Sequence, residues 1–240
     1  MTNGTEMTTL RDAVVLVTGA NGGLGVHFVQ QALARGAAKV YAAARTPREW
    51  EDPRIVPLQL DVTDESSIAR AAELAPDVTV LVNNAGASNG SSLLADDLAA
   101  ARELFETNFW GALAVTNALL PALRAHRGTV LNVLSVLSWL AIGDAYSATK
   151  AALWSATNTQ RIRLAPEGVH VAGLHLGYAD TPMTRDVTAA KLDPADVVAA
   201  AYDGIEAGDY EVLVDPISRD VRAGLAGPIH ALYPGLSRAA

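Results

Sequence analysis

"AVVLVTGANGGLGVHFVQQALAR", residues 13–35, decides the fold. The stretch opens as a nearly continuous apolar run, passes a turn carrying Gly19, Gly22, Gly23 and Gly25, and leaves as a helical pattern over 24–35. A run apolar on every residue suits a strand buried on both faces, as in a parallel sheet. Gly19, Gly23 and Gly25 follow a T-G-x-x-x-G-x-G spacing. Glycine permits a tight turn there and lets backbone N–H groups approach a pyrophosphate at the positive end of the following helix. Set between a strand and a helix, the spacing predicts a dinucleotide cradle through Gly19, Asn21, Gly22, Gly23, Leu24 and Gly25.

Outward from this unit the pattern repeats. Further short apolar runs lie at 39–44, 54–62, 78–86, 128–135, 168–177 and 210–215. Helical patterns lie near 64–74, 97–124, 145–165 and 194–207, and Pro121 is expected to kink or end the one at 97–124. Strand–helix alternation predicts an α/β fold: a Rossmann-type, doubly wound parallel sheet of about seven strands with helices on both faces. Without a linker, a repeat or a low-complexity segment, residues 1–240 read as a single domain.

Composition narrows the functions. Half the residues are hydrophobic and 18% are charged, which suits a compact core. The chain has no cysteine, which excludes disulfides, thiolate metal sites and thiol catalysis and agrees with a cytoplasmic location. Residues 1–9, "MTNGTEMTT", lack the basic start and apolar run of a secretory leader, and no apolar stretch reaches the length of a membrane span. A net charge of −8 argues against a nucleic-acid surface. The five histidines show no metal-ligand spacing, so no metal is expected, and His170 and His175 read as structural.

The second apolar run ends "YAAARTP", with Arg45 close to where an NAD-specific domain carries an acid for the ribose. A carboxylate there would repel a 2′-phosphate, whereas Arg45 can hold one by bidentate, charge-assisted bonds. NADP(H) is therefore favoured, with NAD(H) possible. Further along, Asp61 with Val62 is placed to meet the adenine, and Asn83 to Gly86 (with Asn84 and Ala85) to pack against the riboses. In "AYSATKAAL", residues 145–153, Tyr146 and Lys150 stand one helical turn apart on one face. A free phenol has a pKa of about 10, too high for proton exchange near neutrality. An ammonium about 4 Å away favours the phenolate by up to about 4 kcal/mol at an effective dielectric of 20, or roughly three pKa units before desolvation is counted.

Together "TGANGGLG", "LDV" at 60–62, "NNAG" at 83–86, Asn108, "YSATK" at 146–150 and "DTPMT" at 180–184 resemble the short-chain dehydrogenase/reductase family. The resemblance runs from about residue 13 to 215. It implies hydride transfer between NAD(P) and an alcohol or carbonyl carbon, with catalytic roles on Asn108, Ser135, Tyr146 and Lys150. Tyr146 would exchange the proton, Lys150 would lower its pKa and hold the nicotinamide ribose, and Ser135 would orient the substrate oxygen. Asn108 would anchor a water linking Lys150 to solvent. Gly177, Tyr178 and Thr181 would complete the nicotinamide side, with Thr181 on the carboxamide or simply capping a turn before Pro182. Family members commonly pair the helices matching 97–124 and 145–165, implying a homodimer or homotetramer.

The chain departs from the family pattern in three places, one being a short segment after Thr181 that reaches "LDPADVV" by residue 192. Leu176-Gly177 replaces the usual Pro-Gly, which predicts a less rigidly preset turn. The segment "SVLSWLAIGDAY" from Ser135 to Tyr146 is about two residues shorter than the family's, making Ser138 the fallback serine. Trp139 and Leu140 then either line the pocket or pack in the core, and the site is expected to be open enough for bulky or aryl ketones. The leading expectation is an NADPH-dependent carbonyl reductase or secondary alcohol dehydrogenase acting on a small-molecule carbonyl or alcohol. The alternatives are an NAD-dependent alcohol dehydrogenase, a non-catalytic nucleotide-binding regulator, which would be expected to lose the Tyr/Lys pair, and a lyase-like relative with a halide site and Arg for Lys.

Overall fold

The structure is a computed structural model and describes residues 8–236; most of the stretch that argued against a leader lies outside the described residues. Seven strands, β1 (Val14–Thr18), β2 (Lys39–Ala44), β3 (Ile55–Gln59), β4 (Val80–Asn83), β5 (Thr129–Val133), β6 (His170–His175) and β7 (Glu211–Leu213), form one sheet. Their order is β3-β2-β1-β4-β5-β6-β7 and every pairing is parallel. The predicted Rossmann-type sheet is therefore present. Chain order reverses between β1 and β4, and the crevice beyond the carboxyl ends of these strands is where such sheets take ligands.

β1 shows why its run is apolar throughout. Val15 and Val17 enter one core with Phe28, Val29 and Tyr202, while Leu16 enters the opposite core with Leu81, Leu123 and Val130. The first core lies under α1 (Leu24–Ala34) and α6 (Pro194–Ala207), pinned where the buried Tyr202 hydroxyl donates to Phe28 O at 2.8 Å. The second lies under α2 (Glu65–Leu74), which Asp64 caps by accepting from Ser66 N at 2.8 Å.

The helical pattern at 97–124 divides. α3 (Ala99–Phe105) passes through one π-type turn at Glu106–Trp110 into α4 (Gly111–Ala125). Pro121 does not end the helix as expected. Its ring faces solvent, and the carbonyl it leaves without a partner belongs to Asn117, an exposed residue that water can reach. α5 (Ala145–Leu164) carries Tyr146 and Lys150, and beyond β7 the sequence reading had no counterpart to α7 (Pro216–Gly224) and α8 (Ile229–Leu232). Among the described residues no helix is long and apolar enough to cross a membrane, and no three His, Asp or Glu side chains cluster as metal ligands.

Candidate active site

The glycine turn leaves β1 with Gly19 at φ +65° and enters α1 through Gly23 at φ +54°. A Cβ at Gly25 would stand 2.2 Å from the Gly19 carbonyl oxygen, so only glycine lets the helix start this close to the turn. Gly23 caps α1 without any side-chain hydrogen bond, and the first turn carries no acid. The Gly25 N–H closes back onto Gly22 O at 3.0 Å, and Gly22 itself is exposed, with open space at its Cβ position. A helix N-terminus uncapped by any side chain, above a cradle of glycines, fits a pyrophosphate. Asn21 ties this turn to the loop after β2 by donating to Thr46 O at 2.7 Å, next to the exposed Arg45.

Asp61 accepts from the Thr63 backbone N–H and hydroxyl at 2.9 and 2.8 Å, and its carboxyl is held below the usual range by those bonds and by the nearby Arg45 charge. Val62 packs where Gly111 begins α4, in a contact too close for any Cβ. Thr18, buried at the end of β1, accepts from both Asn84 N and Ala85 N at 3.0 and 2.9 Å. The Asn84 side chain, expected against a ribose, instead donates to Thr18 O at 2.9 Å and braces the glycine turn. Thr181 stands over the same turn, 3.5 Å from the Cβ position of Gly23, and also caps the 3-10 turn that begins at Pro182. Both readings of Thr181 are compatible with this placement.

The reacting end lies one loop away. Gly86 approaches Asn108 and Lys150 together: its Cβ position is 3.4 Å from Asn108 Oδ1 and 3.8 Å from Lys150 Nζ. Lys150 donates to Val133 O at 2.8 Å, at the end of β5. Ser135, two residues on, accepts from Leu137 N at 3.1 Å, and its hydroxyl is near enough to the Tyr146 phenol to draw that phenol's pKa down. Ser138 is also buried, but its hydroxyl has no partner among the described residues. Asn108 sits in the π-type turn, and its amide is used on protein: Ala87 N and O at 2.8 and 2.9 Å, and Thr149 Oγ1 at 3.1 Å. Both amide hydrogens are engaged, so the water expected on Asn108 cannot rely on them; what the side chain does is fasten the loop after β4.

The profile of the family described as short chain dehydrogenase matches residues 13–192. The chain belongs to the short-chain dehydrogenases. Its relatives include a short-chain dehydrogenase of Penicillium crustosum, 38% identical over 182 residues, which are 70% of this chain and 66% of that one. Aligned residues thus span about two thirds of that relative's length. Among solved structures, a short chain dehydrogenase from Burkholderia cenocepacia in complex with NADP is 37% identical, with a TM-score of 0.89 over 96% of this chain and all of that one. An NADPH-bound carbonyl reductase from chicken fatty liver is 26% identical, with a TM-score of 0.75 over 85% of this chain and 90% of that one. As a short-chain dehydrogenase the protein is an oxidoreductase that works with a nicotinamide dinucleotide.

Electrostatics in this dehydrogenase run against one expectation. Burial pushes the Tyr146 phenol up to about 12, with the Ser135 hydroxyl drawing it down, and burial lowers the Lys150 ammonium to about 8. The ammonium lies 5.7 Å from the centre of the phenol ring, so desolvation outweighs its attraction for the phenolate. Tyr146 therefore rests as a neutral acid.

Two features of the site escaped sequence reasoning, Asp215 at Gly177 and His175 at Ser135, and one open reading is decided. The turn at Gly177 is not loosened by the missing proline, because the buried Asp215 carboxylate accepts its N–H at 2.6 Å while capping α7 at Ser218 N. Tyr178, next to it, is partly exposed at the mouth. Trp139 and Leu140 are buried with Val136 under Trp154, Leu213 and α7–α8, so they pack in the core, the second of the two readings. His175 Nδ1 lies 3.2 Å from Ser135 O, a contact no local pattern announces.

Proposed function

We propose that this dehydrogenase is a cytoplasmic, single-domain carbonyl reductase preferring NADPH, and a secondary-alcohol dehydrogenase in reverse. The observation that carries the reading is a neutral Tyr146 phenol with the buried Lys150 ammonium 5.7 Å from its ring and the Ser135 hydroxyl nearby, the glycine cradle one loop away. When bound, the nicotinamide supplies a hydride to the carbonyl carbon. Tyr146 donates its proton to the carbonyl oxygen in the same direction, and takes it back in oxidation. Ser135 has a lone pair occupied by Leu137 N–H, so its hydrogen is free to turn from the phenol to the substrate oxygen and fix its position. Lys150 keeps positive charge beside the phenol, and its remaining hydrogens can reach a ribose hydroxyl. Gly19, Gly22, Gly23 and Gly25 would hold the pyrophosphate, and Arg45 the 2′-phosphate.

Leu93, Leu94, Ile142, Tyr178 and Met183 are all exposed on the loops that follow β4, β5 and β6. An apolar rim of this kind supports a ketone with bulky alkyl or aryl groups. Trp110 and Ile162, more than half exposed on the π-type turn and on α5, support pairing of those helices between subunits.

The test is a panel of small, bulky and aryl ketones assayed with NADPH and with NADH. Ketone-dependent oxidation of NADPH in preference to NADH is expected. Coenzyme binding with no turnover on any ketone or alcohol would overturn it in favour of a nucleotide-binding regulator.

A further inference from the structure

Pairing between β5 and β6 continues past both strands: Leu134 N donates to Leu174 O and Val136 N to Leu176 O, each at 2.9 Å. Between these bonds the Ser135 carbonyl accepts twice, from Ser138 N at 3.0 Å and from the His175 ring at Nδ1, 3.2 Å away. A carbonyl only accepts, so Nδ1 carries the proton. Nε2 is then left as a bare lone pair, fully buried and without a partner among the described residues. A phenylalanine would fill the same space without that penalty. What the imidazole alone provides is the Nδ1–H on Ser135.

The ring is held as firmly as the bond it makes. Trp139 stacks on His175 with centroids 3.9 Å apart and planes 12° apart. Trp154 meets Trp139 edge-to-face with centroids 6.0 Å apart, and its Nε1 donates to Glu211 at 2.9 Å. Glu211 in turn accepts from Arg222 at 2.8 Å, whose guanidinium lies 5.8 Å from the Trp139 ring. Trp139 belongs to the segment between Ser135 and Tyr146, so the stack ties that segment to the imidazole. Burial also pushes the ring down to about 4, so it stays neutral and in one tautomer near neutrality.

We propose that His175 is a positioning residue: clamped by Trp139, it fixes the Ser135 peptide and so aims the Ser135 hydroxyl at the Tyr146 phenol and the substrate oxygen. The inference rests on the reading of Ser135 given above. It acts through that hydroxyl alone, which makes it separable from packing.

The experiment is a double-mutant cycle on kcat and KM for a ketone substrate, with NADPH affinity and thermal midpoint measured in parallel. His175→Phe keeps the stack and removes the donor; it should lower kcat about tenfold while leaving NADPH affinity within about twofold. His175→Asn keeps a donor near the Nδ1 position and should restore most of the loss. In a Ser135→Ala background His175→Phe should cost less than about twofold, because the hydroxyl it aims is gone. An equal fold-loss in both backgrounds, or wild-type kcat in His175→Phe, would overturn the inference. Wild-type kcat in Ser135→Ala would overturn the reading of Ser135 and the inference with it. Should His175→Phe fail to fold, His175→Asn against His175→Gln decides: Gln places its amide nearer the Nε2 position and should lose about tenfold where Asn does not. Equal kcat for the two would refute the clamp.

Discussion

Replacing Gly25 by alanine puts a methyl 2.2 Å from the Gly19 carbonyl oxygen and 2.9 Å from Ala20 Cα. Non-bonded heavy atoms sit comfortably at about 3.5–4.0 Å. Turn and helix must therefore part by roughly 1 Å or more, and both obstacles are backbone. Overpacking of this kind costs about 1–3 kcal/mol, and better helix propensity returns about 1 kcal/mol. The net loss of up to about 2 kcal/mol should lower the midpoint by up to about 8 °C for a chain of this size. Coenzyme binding should suffer more. Losing one charge-assisted bond to the pyrophosphate is worth about 1.5–3 kcal/mol, or about 10–100-fold in affinity. Gly22→Ala is the control: its Cβ has nothing within 4 Å and the midpoint should not move. Scanning calorimetry with titration of NADPH against tryptophan fluorescence reads both quantities. Native NADPH affinity in Gly25→Ala, or equal destabilisation by Gly22→Ala, would refute the reasoning.

Arg45→Ala should weaken NADPH by about 10–100-fold and leave NADH nearly unchanged; equal weakening of both would show that Arg45 does not read the 2′-phosphate. The pH profile of reductive kcat/KM should be flat below about 8 and fall above it, because the buried Lys150 loses its proton there while Tyr146, at about 12, keeps its own. In Lys150→Arg that inflection should vanish from the residual activity, and its persistence would assign it to another group. Ser135→Ala should lose about a hundredfold in kcat on small and bulky ketones alike, and Ser138→Ala little; a large loss confined to Ser138→Ala would reverse the choice of serine. A strong preference for the small ketone in the unaltered enzyme would refute the open mouth.

What the sequence made legible was local. The glycine turn, the two-faced apolar strands and the i,i+4 Tyr146–Lys150 pair are each written within a few neighbouring residues, and the parallel pairing follows from strand–helix alternation. The π-type turn at Glu106–Trp110 interrupts no hydrophobic pattern, so 97–124 read as one helix. Asp215 steadies Gly177 across 38 positions and His175 reaches Ser135 across 40, separations at which periodicity carries no signal. Tyr146 is the sharpest case. Spacing revealed its partner charge but not its burial, and burial sets the direction of the shift.

The central claim is that Tyr146 is the proton donor, and Tyr146→Phe tests it most directly, because it removes the hydroxyl and keeps the ring. General acid catalysis contributes about 10²–10⁴-fold. The account predicts that ketone reduction by Tyr146→Phe falls by at least that lower figure, with NADPH affinity within about twofold and an unchanged fold by calorimetry. Near-native turnover in the folded, coenzyme-binding variant would contradict it.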